Sequence, residues 1–240
     1  MEKIRLDQML VRLGLVRTRS EAENWIRLGK VTIDGKVVTK AGFFVRQTSD
    51  IRLTATEKYV SRAGLKLASV AQKLGVEFAD TVVLDVGSST GGFTDYALQH
   101  GAQKVFAVDV GTDQLHPSLR DNNRIELHEK TDIRDFTPVQ APDVVVMDVS
   151  FISLREILPH IAGISAKNTI IVAMLKPQFE AGKHQVNKGV IKNDAMRRQI
   201  LRDFENWTKQ YFVIVDKADS DVAGAKGNRE RFYLLKKIGI

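Results

Sequence analysis

The sequence predicts an α/β protein: a mostly parallel, seven-stranded sheet ending in an antiparallel hairpin, preceded by a small α+β module. Three observations carry this. From residue 81 onward, short β-branched runs alternate with helix-like stretches. The first run, TVVLDV, leads into a glycine turn, DVGSSTGG. Ahead of both lies a segment with a different charge balance. Residues 1–60 hold twelve Lys/Arg against seven Asp/Glu, whereas residues 61–240 hold 24 against 22.

In the basic segment, RLDQMLVRL (residues 5–13) places Leu6, Met9, Leu10 and Leu13 at helical spacing, and Gly14 ends the helix. Thr18-Arg19-Ser20-Glu21 has the spacing of a capping box and starts a second helix, with Ala22, Trp25 and Ile26 inward and Gly29 as its stop. VTIDGKVV then reads as a hairpin turning on Asp34-Gly35. A further strand covers 51–53. The segment thus forms a module over 1–55, joined by a linker at 56–60 to a second domain over 61–240. In that domain Ser61 caps a helix running to about Leu74. Strands follow at 81–86, 104–109, 125–128, 143–148, 169–175, 210–216 and 231–236, with helices between most of them. The last two are joined without a helical pattern, which predicts the antiparallel hairpin.

Composition narrows the chemistry. The chain has 240 residues, 43% of them hydrophobic, enough for a real core. With no cysteine, disulfides, thiolate metal sites and cysteine nucleophiles are excluded, and a reducing cytosol suits it. MEKIRLDQML lacks the apolar centre of a signal peptide, and the most apolar run, 169–175, is too short to span a bilayer. A cytoplasmic protein is expected. The net charge of +7 favours an anionic partner.

The glycine turn reads D-x-G-x-x-x-G-G. It lacks the G-x-G-x-x-G of a dinucleotide fold and the lysine of a P-loop. Asp85 opens it, and Gly87, Ser88, Gly91 and Gly92 shape it. Asp109 ends the second strand, where an acid can accept both hydroxyls of a ribose. Asp132 follows the third strand, where it can meet an adenine amino group. A Rossmann-like fold holding a ligand with a ribose and an amine but no phosphate fits S-adenosylmethionine, with Asp85 near its cationic end. The bland alternative is a structural turn whose acids only end strands.

Arg5, Arg12, Arg17, Arg19, Arg27, Lys30 and Lys36 crowd around the two helices and the hairpin. On composition alone this is either a solvated basic face or a phosphate-binding one. The pattern R-L-D, then R-T-R-S-E-A, then G-K-V-T-I-D-G-K-V resembles the S4 RNA-binding domain along nearly its whole length. That resemblance implies RNA contacts on the second helix and its approach, here Arg17, Arg19, Ser20 and Arg27, with Arg5, Lys30 and Lys36 adding charge.

Four charged residues stand where apolar or turn residues would suffice: Lys66, Asp148, Lys176 and Glu230. Asp148 and Lys176 end parallel strands, the edge where such sheets bind ligands. An antiparallel last strand begins at the same edge and brings in Glu230, and Lys66 reaches over from its helix. Taken singly, each is also readable as a surface charge or an ion pair. Together they resemble the Lys-Asp-Lys-Glu tetrad of FtsJ-like ribose 2′-O-methyltransferases. With YVSRAGLKL, DVGSSTGGFTD, DVSFISL, LKPQFE and AKGNRERF, the whole chain resembles the TlyA (hemolysin A) family, an S4 domain followed by an FtsJ-like methyltransferase domain. Ala63 departs from the glycine expected at that helix start.

The resemblance implies methyl transfer from S-adenosylmethionine to the 2′-hydroxyl of cytidine in ribosomal RNA, free or in subunits. The large subunit is the expected target, as in the family's shorter members, and the small subunit a further one. Lys176 would take the hydroxyl proton, Lys66 would lower its pKa, and Asp148 and Glu230 would orient the lysine and stabilise charge. No metal is needed, and H-E-x-x-H is absent. Residues 183–192 are basic and glycine-broken, and read equally as a substrate loop or as a solvated connection. Two rival readings remain: a pore-forming hemolysin, which a liposome leakage assay tests, and an RNA-binding protein with a decayed cofactor site, which calorimetry with S-adenosylmethionine tests.

Overall fold

The computed structural model describes residues 3–16, 19–27, 29–54, 58–182, 190–191, 193–224 and 227–238, without the side chains of Ser20, Glu21 and Asn24. The chain divides into two compact units, residues 1–58 and 59–240.

In the first unit, α1 (Leu6–Arg12) and α2 (Arg19–Arg27) pack over short strands. The core is Leu6, Met9, Leu10, Val16, Ala22, Trp25, Ile26, Val31, Ile33 and Val45. Leu13, expected on the inner face, is instead 49% exposed. The helix ends at Arg12, Gly14 turns the chain at φ 69°, and Val16 is buried in its place. The hairpin of β2 (Val31–Ile33) and β3 (Lys36–Val37) turns on Asp34 and Gly35, both at positive φ as a two-residue turn requires. Strand β5 (Ile51–Leu53) pairs antiparallel with β2. The pattern had not predicted β1 (Lys3–Arg5) and β4 (Phe44–Arg46), which pair with each other; three residues are too few for alternation to show.

The second unit opens with α3 (Arg62–Ala71), shorter than expected and without a side-chain bond from Ser61 at its cap. Tyr59 and Val60, expected in the linker, belong to this body. Tyr59 is buried with its ring 5.3 Å from that of Tyr96, and Val60 N–H donates to Asp95. The chain then alternates through β6 (Val82–Val86), α4 (Gly92–Gln99), β7 (Lys104–Val108), α5 (Pro117–Arg120), β8 (Ile125–His128), β9 (Val144–Met147), α6 (Leu154–Ile164), β10 (Ile170–Leu175), α7 (Pro177–Glu180), α8 (Asp194–Thr208), β11 (Phe212–Asp219) and β12 (Arg231–Lys237).

The sheet order is β11-β12-β10-β9-β6-β7-β8. Strands β10, β9, β6, β7 and β8 run parallel; β12 is antiparallel to both β10 and β11. The terminal hairpin therefore stands as expected, with β11 extended to Asp219 across a bulge at Ile214/Asp216. Period two sorts the central strands. Val83, Val144 and Val172 pack with residues of α3 and α4, whereas Leu84, Val145 and Ile171 pack with those of α6 and α8. A buried leucine such as Leu84 cut to alanine would cost about 2–5 kcal/mol. Since β7 and β8 lie on one side of β6 and β9 and β10 on the other, the chain reverses direction at β6/β9. In open α/β sheets that crevice is where ligands bind.

Candidate active site and the basic module

Two cavities meet at the carboxyl edge of β6, β7 and β9. The larger, of about 370 Å³, is lined by Gly87, Asp109, Asp132, Asp148 and Phe151 among others. The smaller, of about 140 Å³, is lined by Asp85, Ser88, Phe93, Asp148, Ser150 and Lys176 among others.

Asp85 lies inside β6 on the α4 face and is fully buried. Thr94 Oγ1 donates to its Oδ2 at 2.6 Å, while Oδ1 has no hydrogen-bond partner. Burial pushes its carboxyl up to about 7; the Thr94 bond opposes this, and the negative charges of Asp148 and Asp109 add to it. The hydroxyl of Ser88 is likewise buried and unpartnered. Gly87, at φ 77°, runs so close to the β9 segment that a Cβ would lie 3.0 Å from the Asp148 carbonyl oxygen. Asp109 Oδ2 accepts from Ser89 N–H at 2.8 Å and Oδ1 from Gly111 N–H at 2.7 Å. Each oxygen keeps capacity for another donor. Asp132 lines the larger cavity, but Arg134 bonds both its oxygens and holds its carboxyl down at about 2.

Gly91 and Gly92 line neither cavity. A Cβ on Gly91 would strike Leu119 and Leu115, and one on Gly92 would strike Ser61, Ala63 and the Gly64 backbone. These two glycines serve close packing. They also account for Ala63: its methyl occupies the space that Gly92 leaves open. Gly64 beside it cannot be replaced, because a Cβ would lie 2.5 Å from Tyr59.

The four charged residues form two ion pairs. Lys176 Nζ lies 2.6 Å from Asp148 Oδ1 and also donates to Ser150 Oγ at 2.6 Å. Lys66 Nζ lies 2.6 Å from Glu230 Oε2, with side chains 11% and 3% exposed. Lys176 and Asp148 face the smaller cavity; Lys66 and Glu230 are not in its lining. Sequence reasoning assigned no role to Ser150 and Phe151. Phe151 is 91% exposed, has φ 66°, and sets its ring 5.2 Å from that of Phe179. A bulky residue in that conformation is strained, and such strain gathers at functional sites. Its signal was an aromatic three residues past a strand-ending acid. Residues 183–189 and 192 of the segment 183–192, read equally as a substrate loop or a solvated connection, lie outside the described residues.

In the basic module, Asp7 is fully buried and collects two of the predicted RNA-binding arginines. Arg5 bonds it through Nε and Nη2 at 3.1 and 2.7 Å, and Arg19 through Nε at 2.9 Å. Arg5 first, then Arg19 and the Gln8 N–H, hold the Asp7 carboxyl down at about 2. Both arginines stay partly exposed, at 36% and 50%. Arg27 pairs with Glu23, and Lys30 and Lys36 are exposed. Arg17 lies outside the described residues, as does the side chain of Ser20.

The FtsJ-like methyltransferase family pattern matches residues 59–237, and the S4 domain pattern residues 4–51. A Mycobacterium tuberculosis protein named 16S/23S rRNA (cytidine-2'-O)-methyltransferase TlyA is 38% identical, over 98% of this chain and 90% of its own. The chain belongs to the TlyA (hemolysin A) family. A further member, Hemolysin A of Brachyspira hyodysenteriae, is 38% identical over 95% of this chain and 97% of its own. A solved structure from Streptococcus thermophilus, described as a candidate hemolysin, superposes with a TM-score of 0.77 at 35% identity, over 99% of this chain and 89% of that one. The fold and the methyltransferase domain of this TlyA-family chain are thereby established. Among the described residues no helix is long and apolar enough to cross a membrane, and no cluster of metal-ligating side chains appears.

Proposed function

We propose that this chain methylates the 2′-hydroxyl of cytidine in ribosomal RNA, with the large subunit as first target, using S-adenosylmethionine. The observation that carries this reading is the Lys176–Asp148 pair on the wall of the cavity that also holds the unpartnered oxygen of Asp85. The name of the M. tuberculosis relative supplies the substrate class.

The residues fit the cofactor. A buried carboxylate oxygen with no partner suits an ammonium or sulfonium, Asp109 has capacity for ribose hydroxyls, and Gly87 lets the ligand approach the backbone. When bound, S-adenosylmethionine supplies an electrophilic methyl group. The protein's own part is to position and deprotonate the nucleophile. Lys176 stands in ion-pair contact with Asp148 and donates to Ser150 Oγ, which fixes its amine at the cavity wall. From there, in its neutral form, it accepts the 2′-hydroxyl proton. Asp148 orients Lys176 throughout. Lys66 and Glu230 form a buried, mutually neutralised pair that holds α3 to the start of β12. Phe151 offers an exposed ring at the cavity rim, on which an unstacked base can rest. The basic module over 1–55 anchors the RNA through its arginines and lysines.

The test is single-turnover transfer of labelled methyl groups to unmodified ribosomal RNA, with cofactor and RNA binding measured alongside. Lys176→Ala should slow transfer by ~10²–10⁴-fold. Lys176→Arg should do little better, because arginine stays protonated. Near-normal turnover in Lys176→Arg would show that a fixed positive charge suffices and would remove the base assignment.

A further inference from the structure

Asp148 and Lys176 leave neighbouring strands past the point where the sheet holds those strands together. The direct β9–β10 ladder ends at Met147 opposite Ala173. Beyond it each backbone is held from its far side, with Asp148 N–H bonding the Val86 carbonyl at 3.0 Å and Leu175 paired with Arg231. Glu180 is placed to link the two segments directly. It lies four residues past Lys176, at the end of α7, with a side chain only 2% exposed. Its Oε2 accepts from Ser153 Oγ at 2.6 Å, and its Oε1 from the Leu154 N–H at 2.7 Å. Arg155 Nε stands 3.8 Å away, and Glu156 is a like charge nearby.

Taking a carboxylate out of water is costly, and burial holds the Glu180 proton affinity above its ordinary value. Part of that cost is offset at the start of α6, where Ser153 accepts from the Arg155 N–H at 3.1 Å and Glu180 takes the Leu154 N–H, another of the unsatisfied donors there. The bonds from Glu180 also join two segments, 148–154 and 176–180. The Phe151–Phe179 ring contact joins the same two. Each segment starts with one member of the Lys176–Asp148 pair.

We propose that Glu180 is a positioning residue: its bonds to Ser153 and Leu154 hold Lys176 at contact distance from Asp148. This rests on the roles given above to Lys176 and Asp148. A misplacement of about 1 Å at reacting groups can cost ~10²-fold in rate.

The experiment measures single-turnover methyl transfer and thermal stability for Glu180→Ala, Glu180→Gln, Asp148→Asn and the Glu180→Ala/Asp148→Asn double variant. Glu180→Ala should slow transfer by ~10–100-fold. Glu180→Gln should recover most of this, because its carbonyl can accept from Leu154 and its amide can donate to Ser153. In the Asp148→Asn background the Glu180 change should add nothing further, since it acts through a pair already broken. If the two losses multiply, or if Glu180→Ala transfers within twofold of wild type, the proposal is overturned. Should Glu180→Ala fail to fold, Ser153→Ala removes one of the two bonds and is read in the same cycle, with the same two overturning outcomes. If Asp148→Asn alone leaves transfer intact, the active-site reading falls and this inference with it; an impaired Asp148→Asn beside an unaffected Glu180 series overturns this inference alone.

Discussion

Asp7 and Asp85 are both fully buried aspartates, one in each compact unit, and their carboxyls go opposite ways. Asp7 is held down at about 2 and Asp85 is pushed up to about 7. The difference lies in the partners. Asp7 receives three arginine N–H bonds and a backbone one. Asp85 meets neutral donors alone, the hydroxyl and backbone N–H of Thr94, and keeps an oxygen unpartnered. Burial penalises a charge, and only donors or cations offset that penalty. Asp7 is thus complete as it stands, whereas Asp85 keeps one oxygen without a protein donor.

The sharpest break of this contrast is Asp85→Asn. It keeps the shape and removes the charge that a cationic cofactor would meet. Affinity for S-adenosylmethionine, read by calorimetry, should fall by about 1.5–3 kcal/mol, the range for a hydrogen bond to a charged group. The wild-type carboxyl, neutral below about 7, should make cofactor affinity rise with pH up to that value and then level, and the variant should lose this slope. The ligand-free protein should change in the other sense. A folded carboxyl with a raised pKa favours folding at low pH and loses that contribution as pH rises through about 7, so Asp85→Asn should be the more stable protein at pH 8. Equal affinity, or a variant less stable at pH 8, would mean that Asp85 is not waiting for a cation.

Asp109→Ala comes next. It removes the proposed ribose acceptor together with two bonds that shape the glycine turn. A loss of about 1–3 kcal/mol in cofactor affinity is expected, with transfer restored at saturating cofactor. Unchanged affinity in a folded variant would move the ribose elsewhere.

Asp7→Asn should have the smallest effect on the site, because Asp7 lies in the other compact unit. The basic module should lose about 1.5–3 kcal/mol in denaturant unfolding, the range for hydrogen bonds to a charged group, and cofactor affinity should not change. Its folded pKa lies below the ordinary 3.8, so its contribution is present above that value and fades as pH falls through about 2. A module that loosens between pH 7 and 5 would contradict the assignment.

The alternation of the sheet strands was legible because Val83 and Leu84 have to face opposite layers, and period two writes that into the sequence. The Asp34-Gly35 turn was legible because few residues tolerate two positive φ values in succession. The three-residue strands β1 and β4 were not, because their pairing partner lies far along the chain. Among site residues, Asp85, Gly87, Ser88, Asp109, Asp132, Asp148 and Lys176 line the two cavities, at or near the carboxyl ends of their strands. Gly91 and Gly92 carry the same letters as ligand-binding glycines yet answer to their packing neighbours.

By itself the sequence determined the fold class, the alternation of strands and helices in the large sheet, and the family, since each rests on local periodicity, turn chemistry and motif spacing. Only the tertiary structure decided who pairs with whom. It set Lys66 against Glu230 and Lys176 against Asp148, gave Asp7 its arginines, left Asp85 one oxygen short, and joined Glu180 to Ser153. Those outcomes depend on strand order and on the close approach of segments distant in the chain. Charge and burial act through space, and nothing in the local sequence records which partner the fold will supply.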